Sequence, residues 1–257
     1  HLPDTGITSF RRLTETLARS LEEGGCDLQL NTKIERLAAG SEGVVLQSEQ
    51  ETFEARLLVN CAGLYSDRVA RLGGVEAGMR IVPFRGEYYQ LRPAKRFLIK
   101  NLVYPVPDPE FPFLGVHFTR MIDGEVHAGP NAVLAYKREG YGKGDFSARD
   151  LGEVITYPAF WKLVSRHWRK GMKEMIRSFS KAAFVRGLQR LVPEITADDV
   201  IPAPSGVRAQ ALMDDGQLTD DFVIVPGPRS LHVCNAPSPA ATASLEIGRM
   251  IAERVSV

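Results

Sequence analysis

No stretch of the 257 residues approaches the ~20 consecutive apolar positions that a membrane-spanning helix needs. The first residues also lack the basic, apolar and small-residue succession of a secretory signal. Cysteine is scarce, and Cys26, Cys61 and Cys234 have no ligand spacing. They exclude a disulfide framework and a thiolate metal site, and they predict reduced core thiols in a cytoplasmic protein. No Cys/His constellation suits a metal. A formal net charge of +1 removes the general electrostatic case for nucleic acid. Internal repeats and low-complexity segments are missing as well. No G-x-G-x-x-G turn is present: Gly24-Gly25, Gly40 to Gly43 and Gly140 to Gly144 have the wrong spacing or context. That absence argues against a nicotinamide dehydrogenase. The chain opens at His1 rather than at an initiator Met, so a piece of a longer protein is expected.

What is present is an ordinary globular composition, 44% hydrophobic and 25% charged, with length enough for a large core. The stretch from Leu57 to Gly74 organises the first part. Leu57 to Cys61 reads as a strand buried on both faces. Ala62-Gly63 follows as a turn where no side chain intervenes. Ser66 and Asp67 are N-cap residues for a short helix that Gly73 or Gly74 can end in the left-handed conformation. A buried strand delivering a small-residue turn to a helix start is how a ligand is met at the carboxyl end of a parallel sheet. The same pattern also serves plain helix-on-strand packing.

Upstream, Thr8 or Ser9 can cap a helix with Phe10, Leu13, Leu17 and Leu21 on one face and Gly24-Gly25 as its stop. Cys26 to Leu30 reads as a strand. Ile34 to Leu37, Val44 to Ser48 and Thr52 to Arg56 read as an antiparallel meander.

Downstream the texture changes. Arg80 to Leu91 reads as one long strand kinked at Arg85-Gly86. Shorter strands follow at Val103 to Pro107, Phe113 to Thr119 and Glu125 to Ala128, as in a mixed or antiparallel sheet. Asp145 to Ile195 is mostly helical, with breaks near Pro158, Gly171 and Pro193. Trp161, Leu163, Val164 and Trp168 are expected to cover a sheet face rather than meet a ligand. The basic run from Arg166 to Lys170 admits a nucleic-acid or membrane reading, against the plainer one of a solvated helix face. Val207 to Leu212 and Phe222 to Val225 bracket a hairpin signal at Asp214-Asp215-Gly216. Leu231 to Cys234 is a last strand, leading to a helix capped by Ser238 with Pro239 at its first position.

Three blocks carry a family resemblance: Pro112 to Arg120, Ala128 to Ala135 with Arg138 to Tyr141, and Asn235 to Leu245. With Asn60 to Asp67 and Val207-Arg208, they make nearly the whole chain similar to the L-2-hydroxyglutarate oxidase/dehydrogenase family. That family lies within the FAD-dependent, D-amino-acid-oxidase-like superfamily. The resemblance implies a mixed α/β (α+β) fold. Residues 1–78 would form part of a Rossmann-like FAD-binding domain with its meander. Residues 79–226 would form a substrate domain on a mixed or antiparallel sheet with covering helices, and 227–257 would return to the FAD domain. Family members begin with a strand, a G-x-G-x-x-G turn and a helix that hold the ADP part of FAD. Nothing here matches that segment, so the chain resembles the C-terminal two thirds and its FAD site would be incomplete.

The implied reaction is oxidation of a 2-hydroxy dicarboxylate to its 2-oxo acid, with hydride passing to FAD. Such chemistry needs a base for the hydroxyl proton, a grip on the C1 carboxylate and a polar group for the distal carboxylate. His117 is the candidate base because an imidazole titrates near neutrality, although a core histidine bonded to a carbonyl is the plain alternative. His127 and His232 are its rivals. Arg208 is the candidate C1 clamp, since a guanidinium grips a carboxylate bidentately; a structural salt bridge competes. Arg85 is a candidate for the flavin or the second carboxylate, or else marks a bulge. Arg120, Tyr104 and Asn131 are further candidates for the distal carboxylate. Ala62 and Gly63 should let the flavin pass close to the backbone. Ser238, Pro239, Ala240, Ala241 and Thr242 should direct helix-start amides at its pyrimidine edge, unless they merely cap a helix.

The expected partners are a 2-hydroxy dicarboxylate and, as electron acceptor, O2 or a membrane quinone, with the protein peripheral to the inner membrane. Nucleic acid is not expected. An amine or amino-acid oxidase of the same superfamily and a non-catalytic fragment are the competing readings. Loss of the first strand should also leave sheet edges at Cys26 to Leu30 or Leu57 to Cys61 that promote self-association.

Overall fold

The computed structural model describes residues 6–106, 115–236 and 238–255. His1, the expected strand ends at Pro107 and Phe113, the start of the Pro112 to Arg120 block, and Pro237 lie outside the described residues. The chain forms two compact units, one of residues 1–9 and 83–208, the other of 10–82 and 209–257. Antiparallel and mixed sheets with helices make up the expected mixed α/β class.

The second unit opens with α1 (Phe10–Glu23), closed at Gly25 by a positive φ of 86°, as its sequence signals require. The meander is β1 (Arg36–Ala39), β2 (Val44–Gln47) and β3 (Thr52–Ala55), an antiparallel sheet. Next come β4 (Leu58–Asn60), a 3-10 turn over Gly63–Tyr65 and α2 (Ser66–Leu72). After the chain returns, β10 (Val223–Gly227), β11 (Ser230–Asn235) and α6 (Ser244–Val255) complete the unit. The sheet order is β10-β11-β4, with β11 and β4 parallel. Its core joins Ala70, Val75, Met79, Ile81, Ala211 and Cys234.

Several expectations fail in this unit. Cys26 to Leu30 forms no strand; the Cys26 amide bonds back to the Leu21 carbonyl of α1 (2.9 Å) and Asp27 accepts two hydrogen bonds from Gln29. β4 is not buried on both faces: it is an edge strand, and Val59 is 38% exposed. Cys61, expected in the core, is exposed, as is Cys26, while Cys234 is buried. Ser66 and Asp67 do not cap α2, because Tyr65 precedes the helix. Ser66 Oγ instead donates to the Cys234 carbonyl (3.1 Å), and Asp67 Oδ2 accepts from the Ile81 amide (3.1 Å). They bind α2 to its neighbours instead of ending it. The continuous helix after β11 begins at Ser244, not at Pro239. Ser238-Pro239 is a cis peptide, and a single turn closed by the Ala243 amide on the Pro239 carbonyl (3.1 Å) precedes the helix.

The other unit is built on β5 (Met79–Leu91), β6 (His117–Arg120), β7 (Val126–Gly129), β8 (Val133–Leu134) and β9 (Val200–Met213). The order is β6-β7-β5-β8, with β9 also paired to β5; both β5 and β9 continue into the second unit. Three helices follow: α3 (Ala148–Ile155), α4 (Pro158–Phe179) and α5 (Lys181–Leu188). Gly171 does not break α4, since a helix-interior Gly costs only ~1 kcal/mol. The break comes at Ser180, whose side chain accepts from the Ala183 amide and caps α5. The Asp214-Asp215-Gly216 turn closes on Leu218 through a single bridge with Leu212, and β10 pairs with β11 rather than with β9.

The alternation of β5 to β7 divides their sheet into two faces. Tyr89 and Phe118 both pair with Ala128, so these residues share one face. That face is the core, where Leu91, Phe118, Val126 and Ala128 meet Phe184 and Leu188 of α5. His117 and Gly129 pair on the other face, together with Tyr88, Thr119 and His127. The expected covering of a sheet face by Trp161 and Trp168 does not occur. Leu163 is buried, but the helical period turns both tryptophans outward, each 56% exposed.

Candidate functional site

His117 opens β6, and its Nδ1 lies 3.1 Å from the Gly115 carbonyl. A carbonyl only accepts, so Nδ1 carries the proton and Nε2 presents its lone pair. Tyr104 stacks on the imidazole at 4.3 Å and 24°. Burial lowers the His117 pKa from its ordinary value; the Gly115 carbonyl opposes that shift and Arg208 adds to it. The imidazole is therefore neutral at pH 7 and able to take a proton.

Arg208 comes from β9 and Tyr88 from the middle of β5. Burial pulls the Arg208 guanidinium down from its ordinary value, against the opposing pull of Tyr88. Burial likewise pushes the Tyr88 phenol up; Arg208 works against this and Tyr104 adds a little. His117, Tyr104, Tyr88 and Arg208 are thus one electrostatically connected group: a neutral base, a cation and two phenols.

Gly129 makes the room for Tyr88. Its φ is +147°, and a Cβ there would meet the Glu87 carbonyl at 2.8 Å and Tyr88 Cδ1 at 2.9 Å. Tyr88 did not figure among the sequence candidates. The signal that finds it is the period of two in Glu87-Tyr88-Tyr89-Gln90, which sends the tyrosines to opposite faces.

The remaining candidates have other surroundings. Arg85 is buried and bonds Glu87 Oε1 through Nε (3.2 Å) and Nη2 (3.0 Å), and the Gly142 carbonyl through Nη1 (3.1 Å). Asn131 accepts from the Glu87 amide and donates to Glu87 Oε2, both at 2.8 Å. Ser178 of α4 donates to Glu87 Oε1 at 2.9 Å. These residues form a buried polar network around Glu87. Arg120 closes β6, where Nη1 donates to the Ile99 carbonyl (3.0 Å). His127 bonds Glu125 (3.2 Å).

In the second unit the small-residue turn is held open by a buried chain. The Asn60 amide nitrogen donates to the Ser66 carbonyl (2.9 Å) and to His232 Nδ1 (3.0 Å), while its oxygen accepts from the Ala62 amide (3.1 Å). With Nδ1 accepting, His232 Nε2–H donates to Ser230 Oγ (2.9 Å). Gly63 has φ +53°, and a Cβ built there meets nothing within 4 Å. Ala62-Gly63 therefore offers bare backbone at the carboxyl end of β4, and Ser238, Pro239, Ala241 and Thr242 are exposed small residues. These residues fit the close approach of a flat ring system. The stretch that would grip a pyrophosphate is not in the sequence. Groups of His, Cys, Asp and Glu able to hold a metal are absent among the described residues.

The sequence pattern of the family described as FAD dependent oxidoreductase matches residues 1–254. The L-2-hydroxyglutarate dehydrogenase of Indibacter alkaliphilus is 47% identical over 254 residues, covering 98% of this chain and 64% of that protein. The mitochondrial L-2-hydroxyglutarate dehydrogenase of Homo sapiens is 44% identical over 270 aligned positions, covering 98% of this chain and 58% of that protein. The chain thus spans less than two thirds of the length of these relatives. Among solved structures, the L-alpha-glycerophosphate oxidase of Mycoplasma pneumoniae, with FAD bound, superposes with a TM-score of 0.69 at 17% identity, over 95% of this chain and 55% of that one. The L-proline dehydrogenase of P. horikoshii gives a TM-score of 0.60 at 11% identity, over 95% and 54%. These two likenesses show a shared fold.

Proposed function

The chain belongs to the FAD dependent oxidoreductase family, and from that premise we propose that it carries the substrate chemistry of an enzyme oxidising L-2-hydroxyglutarate, or a close 2-hydroxy acid, to the 2-oxo acid. The observation that carries this reading is the Nδ1–H bond of His117 to Gly115, which leaves Nε2 unprotonated on an imidazole whose pKa burial lowers and Arg208 lowers further. His117 Nε2 takes the hydroxyl proton as the C2–H bond breaks and the carbonyl forms. Arg208 holds the C1 carboxylate, fixing which hydrogen on C2 can leave. Tyr88 and Tyr104 line the group, whereas Arg120, paired with Val126 on the face opposite His117 and bonded to the Ile99 carbonyl, takes no part in it. Arg85 and Asn131 act by holding Glu87 and the strand beneath the site. FAD, when bound, supplies the two-electron acceptor for the hydride, with Ala62, Gly63 and the segment from Ser238 to Thr242 against it.

The electron acceptor beyond FAD is O2 or a membrane quinone, and the protein is cytoplasmic and peripheral to the inner membrane. The edge strand β4, paired only with β11 among the described residues, provides a route to self-association.

The test is the visible spectrum of the purified chain with added FAD, followed by anaerobic L-2-hydroxyglutarate. A bound flavin band that bleaches supports the reading. Bleaching by L-glutamate instead moves the assignment to an amino-acid oxidase. A protein that stays colourless with FAD removes the claim of activity for this chain.

A further inference from the structure

The 22-residue helix α4 presents three faces instead of the two of a simple amphipathic helix. Phe160, Leu163, Glu174 and Ser178 turn inward and are buried. A second stripe, at spacings of three, four and seven, contains Trp161, Trp168, Met172, Ile176 and Phe179. Their exposures are 56%, 56%, 55%, 53% and 76%, the reverse of what burial in a core would give. Beside it, within about one third of the helix circumference at 100° per residue, run Lys162, Arg166, Arg169, Lys170 and Lys173. The helix contains one acidic residue, Glu174. That residue faces inward, accepting from the Ala132 amide and pairing with Arg177. The outward surface of α4 is therefore apolar along one strip and cationic along the next, with no carboxylate of its own.

We propose that α4 lies on an anionic lipid surface, its Trp/Met/Ile/Phe stripe in the headgroup–acyl boundary and its cationic stripe on lipid phosphates. The geometry fits a helix lying in the plane of the surface: ~33 Å of helix carries large apolar groups along one line. No helix among the described residues is long and apolar enough to cross a membrane. Trp161 enters with its polar atom satisfied, since Nε1 donates to the Ile155 carbonyl (2.8 Å). The Arg169 guanidinium sits over the Trp168 ring at 5.4 Å, which places cation and aromatic at one depth, as at a headgroup boundary. Nucleic acid is a poorer match, because Met172, Ile176 and Phe179 offer no hydrogen-bond donors at the centre of the contact. The proposal gives the quinone branch of the reading above a place of contact, yet it stands on α4 alone.

The chain has two tryptophans, Trp161 and Trp168, both on this stripe, so intrinsic fluorescence reports on α4. The purified chain is titrated with phosphatidylcholine vesicles, with and without phosphatidylglycerol. The expected result is a blue shift of emission that is strong with the anionic vesicles, weak with the neutral ones and reversed by salt. Arg166→Gln and Lys173→Gln should each weaken vesicle affinity about fivefold. Phe179→Ser with Met172→Ser should remove the blue shift while far-UV circular dichroism stays unchanged. Unaltered emission with anionic vesicles overturns the proposal. So does a shift that appears with protein concentration alone, which assigns the stripe to a second copy, or one produced equally by duplex DNA. Neither flavin nor substrate is present, so failure here leaves the redox reading intact.

Discussion

His117 in β6 and His232 in β11 are both neutral imidazoles lowered in pKa by burial, one in each unit. Their hydrogen bonds separate them. His232 uses both nitrogens, accepting from Asn60 and donating to Ser230, and is fully buried. His117 uses only Nδ1, on Gly115, and stacks on a half-exposed Tyr104. A histidine with both nitrogens committed is a structural strut. One with a single nitrogen pinned has its tautomer chosen and a lone pair left over, which is what the proposed base needs. Perturbation of pKa alone would not tell them apart; the count of committed nitrogens does.

The comparison is broken most directly by exchanging the costs. His117→Gln should lower turnover of the flavin-loaded protein by about 10²–10⁴-fold while leaving unfolding stability within about 0.5 kcal/mol. A large loss of stability in denaturant titration would make His117 a strut. His232→Ala should do the opposite. It leaves Asn60 and Ser230 unsatisfied beside a cavity, at a cost of about 3 kcal/mol in urea unfolding.

Acid sharpens the same contrast. Burial holds the folded pKa of both histidines below 6.5, so on acidification the unfolded chain takes up protons first. Their contribution to stability is complete above that value and is lost as the pH falls below it. Denaturant midpoints on either side of 6.5 should show the drop, and His232→Gln should flatten it. Turnover should fall in acid too, but through His117, because a protonated Nε2 cannot act as base; His117→Gln should remove that limb. Smallest is Ser230→Ala, which deletes one partner of His232 for about 1 kcal/mol in urea unfolding.

The sequence reads well wherever a local period meets a punctuating residue. α1 with its glycine stop, the meander, β5 and the small-residue turn after β4 all have such signals. The family blocks nominate His117 and Arg208 for the proposed chemistry, while the segment before α6 starts its helix later than its Ser-Pro signal suggests. Legibility ends where a residue's partner comes from far along the chain. Asn131 looks like a free polar group in sequence, but it and Ser178, 44 and 91 residues from Glu87, bind the carboxylate that the neighbouring Arg85 also grips. Ser66 looks like a cap, but its hydroxyl reaches Cys234. Trp161 and Trp168 look like core because large apolar residues usually are, and only the packed face of α4 reveals that Leu163 took that place.

The sequence by itself determined the family and the fold class, and it named His117 and Arg208 as candidates for the proposed chemistry. Those are matters of local pattern and residue chemistry. The tertiary structure decided which nitrogen of His117 presents its lone pair, that Tyr88 joins the site, and that Arg85 serves Glu87. It also decided which side of α4 meets the surroundings. The position of Tyr88 and the outward side of α4 depend on pairing register and on packing between segments. The Arg85–Glu87 and His117–Gly115 bonds join residues two apart, but their geometry is set by the folded backbone, and a carbonyl such as that of Gly115 has no letter in the sequence.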